Sequence, residues 1–254
     1  SLLPMMRLRL AQPECVIDIN DLSDLDYIKV EGDEIAIGAL TRHASLLESP
    51  VVREHLPIVV DAEKLIADPV VRLWGTVGGS FCQADPAEDL SAVGSALRAT
   101  MVIRSSGGTR TVPAREFHSG PYETAVGPAE ILTEVRVPIR TGAGSAYEKV
   151  KRRAGDWAAA SAGAYVVLDG VAIAEVGLGM TAVGAEHFCA PEAEAFLVGK
   201  EPSVDTLAEA GRIAAEHSNP VADQRGPVEY KRHLVQELTA RALRRAIARA
   251  GGEA

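Results

Sequence analysis

The chain has 254 residues, 47% hydrophobic and 24% charged, a balance that suits a folded protein of about two lobes and argues against disorder. Its net charge of −9, with Lys151-Arg152-Arg153 as the longest basic run, speaks against a nucleic-acid surface. No apolar stretch approaches the roughly 20 residues of a membrane span, no signal-peptide pattern is present, and Cys15, Cys82 and Cys189 are odd in number and far apart, which fits a reducing cytosol.

Cys15–Ile19 is a short apolar run with the composition of a strand. Tyr27–Val30 and Glu34–Gly38 flank Glu31-Gly32-Asp33 and predict a β-hairpin. Thr41 is placed to cap a helix over Arg42–Glu48, which Ser49-Pro50 ends. Pro57–Ala67 carries apolar residues on a helical period, and Pro69–Trp74 leads into a glycine turn at Gly78-Gly79. Leu90–Ala99 predicts another helix. Met101–Arg104 and Arg110–Val112, around Ser106-Gly107-Gly108, predict a second hairpin, and Ile131–Ile139 alternates as a strand. Thr141–Ser145 is small and flexible, a boundary between a first domain over 1–140, divided near residue 50, and a second over 145–254. Beyond it, Tyr147–Arg153, Ala158–Leu168 and Val171–Val183 predict three strands, the last two joined by Asp169-Gly170, a strong hairpin signal. Helices follow over Pro191–Val198, Val204–His217 and Val228–Ala250. The expected class is α+β, with an antiparallel C-terminal sheet carrying helices.

Most of the chemistry lies in DPVVRLWGTVGGSFCQADPAEDLSAVG, residues 68–94. Paired glycines let backbone N–H groups approach an anion, and the hydroxyls of Thr76 and Ser80 add donors. Asp85 would repel a phosphate, whereas Asp89, opening a helical run, can accept from a ribose hydroxyl. The pattern suits a pyrophosphate-containing nucleotide, although a GG pair alone also reads as a plain tight turn. The six histidines make no HxxxH or CxxC–His pattern, so a metal site is not expected, and no GxSxG or GxGxxG supports a hydrolase or a nicotinamide site. There is no CxxC pair to hold an iron–sulfur cluster in its usual spacing. The segment YEKVKRRAGDW reads either as an edge strand with a solvated face and an anchored Trp, or as cations with an aromatic face beside an anionic ring system. Asp223–Arg232 opens the last helix, as a capped amphipathic start or as a loop facing a partner subunit.

Five blocks in order, SLLPMMRLRLAQPECVIDI, TVGGS…ADPAEDL, GPAEILTEVRVP, KVKRRAGDWA and DQRGPVEYKRHL, resemble the FAD-binding medium subunits of molybdenum hydroxylases, of the aerobic carbon monoxide dehydrogenase and xanthine dehydrogenase type. The resemblance covers essentially the whole chain. It implies a two-lobed FAD-binding fold with a C-terminal lobe typical of carbon monoxide dehydrogenase flavoproteins. Two glycine loops hold the FAD pyrophosphate in that family. The second matches Thr76, Val77, Gly78, Gly79 and Ser80, with Ser80 where Asn is usual; its shorter side chain can replace one hydrogen bond but reaches less far. The first loop reads Ala-Gly-Gly, one variable residue, then Ser-Leu-Leu-Pro. Ser1, Leu2, Leu3 and Pro4 match its end and the sequence opens there, as a fragment, a processed form or a chain lacking its beginning would. Gln83, Asp85 and Asp89 fall in the stretch that follows the FAD ribose and phosphates. Leu132 matches a position near the flavin, Lys149 a cation near the ring that stabilises the reduced cofactor, and Trp157 an aromatic against the isoalloxazine.

The resemblance further implies an electron-transfer subunit in a cytoplasmic complex. A large subunit holds the molybdopterin and a small subunit holds [2Fe–2S] clusters, assembled as a dimer of heterotrimers. This chain would carry only FAD and pass electrons to an external acceptor. A stand-alone flavin oxidoreductase and an FAD-free assembly module are the alternatives. The substrate is not legible, since no residue here need act on it.

Overall fold

Residues 1–251 are described by a computed structural model; 252–254, the end of the predicted second domain, lie outside the described residues. The chain opens on helix α1 (Leu2–Arg7) and an arm that reaches strand β1 (Ile28–Glu31). The strand expected at Cys15–Ile19 does not form: Val16 and Ile17 are exposed, and no ladder pairs with them among the described residues. Strand β2 (Glu34–Gly38) closes the first hairpin.

Four short helices follow, α2 (His43–Glu48), α3 (Pro50–His55), α4 (Pro57–Glu63) and α5 (Pro69–Trp74). Each of α3, α4 and α5 starts on a proline, whose fixed φ and missing N–H suit the first helical position. Thr41 does not cap α2. Its hydroxyl instead donates to the Tyr27 carbonyl at 2.9 Å and accepts from the Tyr27 N–H at 3.2 Å, which ties the helix entry to the hairpin. The expected glycine turn is the first turn of helix α6 (Val77–Gln83), followed by α7 (Asp89–Leu97). Neither Gly78 nor Gly79 has a positive φ, so both are ordinary helical residues.

Strands β3 (Thr100–Ser105) and β4 (Gly108–Pro113), the turn of helix α8 (Ala114–Phe117), the small hairpin β5 (His118–Gly120) and β6 (Glu123–Thr124), and β7 (Ile131–Pro138) complete the first lobe. Its sheet runs β1-β2-β7-β3-β4, antiparallel throughout. The predicted division near residue 50 does not follow this sheet, because β2 and β7 pair from either side of it.

In the second lobe β8 (Gly144–Val150), β9 (Ala160–Asp169) and β10 (Ala172–Thr181) form an antiparallel sheet, with α9 (Pro191–Leu197), α10 (Val204–His217) and α11 (Val228–Arg249) beside it. The two-residue alternation of β9 explains how the lobes join. Ala162, Ala164 and Val166 belong to the helical core of the second lobe, whereas Tyr165 packs into the core of the first. On β10, a Cβ at Gly177 or Gly179 would lie 2.0 Å from the Ala96 carbonyl oxygen or 1.9 Å from that of Ala92. Helix α7 therefore lies directly on the second sheet. The same alternation on β8 turns Ser145 and Tyr147 toward the first lobe, where Ser145 Oγ accepts from the Ile58 N–H of α4 at 3.2 Å.

Candidate functional site

Helix α6 faces an open cavity of about 700 Å³ lined from both lobes, with walls that include Ser80, Asp89, Lys149 and Trp157. A second cavity of about 390 Å³, reaching Leu132, shares Trp74, Thr76, Gly79 and Cys82 with the first. The two therefore adjoin at the start of α6, where they share a wall.

Thr76 caps α6, its Oγ1 accepting from the Gly79 N–H at 3.1 Å. The glycines have different tasks. A Cβ on Gly78 would sit 2.7 Å from Ala39 Cβ, so Gly78 lets the helix pack on the loop after β2. A Cβ on Gly79 would meet only Thr76 Oγ1, at 2.8 Å, and otherwise project into open space along the cleft.

The expected cradle of free N–H groups is not what these residues form. The Val77 N–H donates to the Thr41 carbonyl at 3.0 Å, that of Gly78 to Ala39 at 2.8 Å, and that of Gly79 to Thr76. The loop after β2 lies close enough to saturate them. Donors toward the cleft are then the hydroxyls of Thr76 and Ser80, aided by the positive end of the helix dipole.

Of the other predicted residues, Ser1, Leu2 and Gln83 stand on the first cavity wall. Leu3 and Pro4 belong to α1, with Leu3 exposed, and are not on that wall; Val77 is buried beneath it. Leu132 is buried and lines the second cavity, away from Lys149. Asp85 turns aside to accept from the Ala87 N–H at 2.8 Å and the Tyr122 hydroxyl at 3.1 Å. Tyr122, not Asp85, reaches the wall.

Asp89 and Lys149 form a buried ion pair at 2.7 Å, with side chains 3% and 1% exposed. The Tyr147 hydroxyl donates to the other Asp89 oxygen at 2.6 Å and stands 2.6 Å from Ser161 Oγ. Burial, and the Asp89 charge behind it, hold the Tyr147 hydroxyl well above its ordinary pKa, so it remains a donor. Lys149 thus reaches the cleft as half of a neutralised pair, and both Asp89 oxygens already have partners. Lys151 donates to the Leu65 carbonyl at 3.2 Å, and burial, with the neighbouring Lys149 charge, lowers its pKa. Trp157, 37% exposed, offers an indole to the cleft. The loop at Asp223–Gly226 packs on this segment, with Arg225 paired to Asp156 at 3.2 Å and Arg152 donating to the Gln224 carbonyl at 2.9 Å.

A third arrangement has no counterpart in the sequence reading. Ser80 Oγ lies 3.1 Å from His43 Nε2, and His43 Nδ1 lies 2.9 Å from Glu63 Oε1. Both His43 and Glu63 are buried. The three residues come from α6, α2 and α4, separated by 37 and 20 positions, and no local motif marks them.

Two adjoining cavities with hydroxyls on their walls, a glycine whose missing Cβ leaves the wall open, and an indole and an ion pair lining the larger suit a flavin dinucleotide. The comparisons agree. The family described as the FAD binding domain in molybdopterin dehydrogenase matches residues 1–140, and the CO dehydrogenase flavoprotein C-terminal domain matches residues 145–246. The carbon monoxide dehydrogenase medium chain of Afipia carboxidovorans is 39% identical over 251 residues, covering 98% of this chain and 87% of that protein. The glyceraldehyde dehydrogenase medium chain of Sulfolobus acidocaldarius is 37% identical over 244 residues, covering 96% and 87%. In solved structures, carbon monoxide dehydrogenase from Hydrogenophaga pseudoflava aligns with a TM-score of 0.95 at 40% identity, covering 98% of this chain and 87% of that chain. Quinoline 2-oxidoreductase from Pseudomonas putida 86 aligns at 0.90 and 31%, with the same coverage of 98% and 87%.

Proposed function

The chain belongs to the FAD-binding medium subunits of the molybdenum hydroxylases, and on that premise we propose that it carries electrons from [2Fe–2S] clusters of a small partner subunit to an external acceptor. A large molybdopterin subunit oxidises the substrate in this scheme, and the complex is a cytoplasmic dimer of heterotrimers. Three cysteines without disulfides, two of them exposed, support a reducing setting. The observation that carries the reading is the pair of adjoining cavities at the start of α6, with the Thr76 and Ser80 hydroxyls on their walls and the Asp89–Lys149 pair and Trp157 lining the larger.

FAD supplies the redox chemistry, accepting electrons and releasing them. The protein holds and orients it. Thr76 and Ser80, on the cavity wall at the helix start, would hold the phosphates, donating from their hydroxyls where the dipole favours negative charge. Leu132 would offer an apolar face in one cavity and Trp157 in the other. Lys149, held by Asp89 and β8, presents an ammonium that cannot swing away, so its field at the cleft is fixed before binding. Tyr147 and Ser161 lock the Asp89 carboxylate that positions it.

Co-expression with candidate large and small subunits tests the proposal. The expected result is a stable complex with one FAD per copy of this chain, reduced when substrate is added to the large subunit. A flavin that stays oxidised in a complex whose clusters are reduced contradicts it.

A further inference from the structure

Most backbone donors at the start of α6 are taken within the chain, so the hydroxyl of Ser80 carries unusual weight. Its side chain has one partner within the protein, His43 Nε2 at 3.1 Å. Behind it, Glu63 accepts at His43 Nδ1, at 2.9 and 3.1 Å from its two oxygens. The ring is held in place by its surroundings. The His43 N–H donates to the Gly75 carbonyl at 3.2 Å, and a Cβ on Gly75 would lie 2.8 Å from His43 Cδ2.

We propose that Glu63, His43 and Ser80 form a hydrogen-bond relay that presents the Ser80 hydroxyl as a charge-assisted donor to a phosphate oxygen of the bound dinucleotide. The inference rests on the placing of FAD in this cleft. An imidazolium at His43 donates from Nδ1 to Glu63 and from Nε2 to Ser80 Oγ, which leaves the Ser80 proton free to point into the cleft. A neutral ring with its proton on Nδ1 would instead accept that proton and turn the hydroxyl inward. His43 and Glu63 are thus positioning residues that act through Ser80.

The groups around His43 favour the charged ring. Burial opposes it, but the contact and charge of Glu63, with Glu88 ahead of α7, outweigh burial and the Arg72 guanidinium of α5, and raise the His43 pKa above its ordinary value of 6.5. Glu63 itself is held above its ordinary carboxylate value by burial first and by the Asp89 charge, against the opposing contact and charge of His43 and the Arg72 charge.

The test is FAD binding to the full-length apoprotein, followed by flavin fluorescence from pH 6 to 9, with Ser80→Ala and His43→Gln beside the wild type. Wild-type affinity is expected to fall as pH rises through the His43 titration. Ser80→Ala should bind about tenfold more weakly at pH 6 and lose the pH dependence, while still folding with a modestly lowered melting temperature, since the buried His43 Nε2 loses its partner. His43→Gln should flatten the profile in the same way; if it does not fold, Ser80→Ala and the wild-type profile decide alone. A wild type that fails to bind one FAD per chain overturns the placing of the cofactor. A wild type that binds, with Ser80→Ala within twofold of it and parallel in pH, overturns the relay alone.

Discussion

Replacing Lys149 by Met removes one half of the pair that anchors the cleft wall. Asp89 keeps the Tyr147 hydroxyl at 2.6 Å but loses the ammonium at 2.7 Å, and its side chain is 3% exposed, so water cannot replace it without a rearrangement. Breaking a buried pair from one side costs about 3–5 kcal/mol. Because Tyr147 still satisfies one oxygen, we expect about 3 kcal/mol for Lys149→Met. Asp89→Asn strands an ammonium that is 1% exposed and whose other partner, the Leu65 carbonyl, lies at 3.5 Å, so a similar cost is expected. The double variant carries neither charge and should cost well below the sum, with a coupling of about 2 kcal/mol. Urea unfolding of the apoprotein measures all four corners of this cycle. Single variants below about 1 kcal/mol, or additive costs, would refute the idea that the pair is held by burial.

Three further outcomes are expected. Thr76→Ala removes the α6 cap and should cost about 1 kcal/mol in urea unfolding. Gly179→Ala forces a Cβ against the Ala92 carbonyl oxygen, 1.9 Å away, and should cost about 2–3 kcal/mol or prevent the lobes from docking, seen as a lowered melting temperature. His43, with a folded pKa above its unfolded value of 6.5, contributes stability that is present below that value and lost as pH rises through the folded pKa. Apoprotein melting temperatures across pH 6 to 9 should decline in that window, and less so in His43→Gln.

What was legible in the sequence were elements with strong local signals. Val204–His217 forms the helix its apolar period predicts, and Asp169-Gly170 turns β9 into β10 as a hairpin. The five ordered blocks led to the family that the comparisons identify. The paired glycines suggest an anion-binding loop or a plain tight turn, yet the Thr76 cap and the packing of Gly78 on Ala39 stabilise a helix there. Cys15–Ile19 has a strand's composition but finds no partner, since a strand is defined by its neighbour rather than its own sequence. Asp89 and Lys149 each suggest a cofactor contact in sequence, and only the packing of α7 on the second sheet shows that they pair with each other first. His43 was one of six scattered histidines; its link to Ser80 and Glu63 depends on how α2, α4 and α6 pack, which no spacing encodes.

The central claim, that the cleft at the start of α6 holds FAD, is tested most directly by flavin titration of the wild type against Gly79→Asp. Position 79 is the third residue of the helix, where a carboxylate is compatible with the dipole; its Cβ would press on the capping Thr76 Oγ1, 2.8 Å away, so the variant should fold and lose no more than that cap's contribution of about 1 kcal/mol. Its side chain would project into the open space beside Thr76, where the proposal places a phosphate. Like charges about 4 Å apart at an intermediate dielectric repel by about 4 kcal/mol, so affinity should fall about hundredfold or more. Wild-type FAD should also be released into the supernatant on acid precipitation, as a cofactor held without a covalent bond. A folded Gly79→Asp protein that binds FAD as tightly as the wild type would contradict the account.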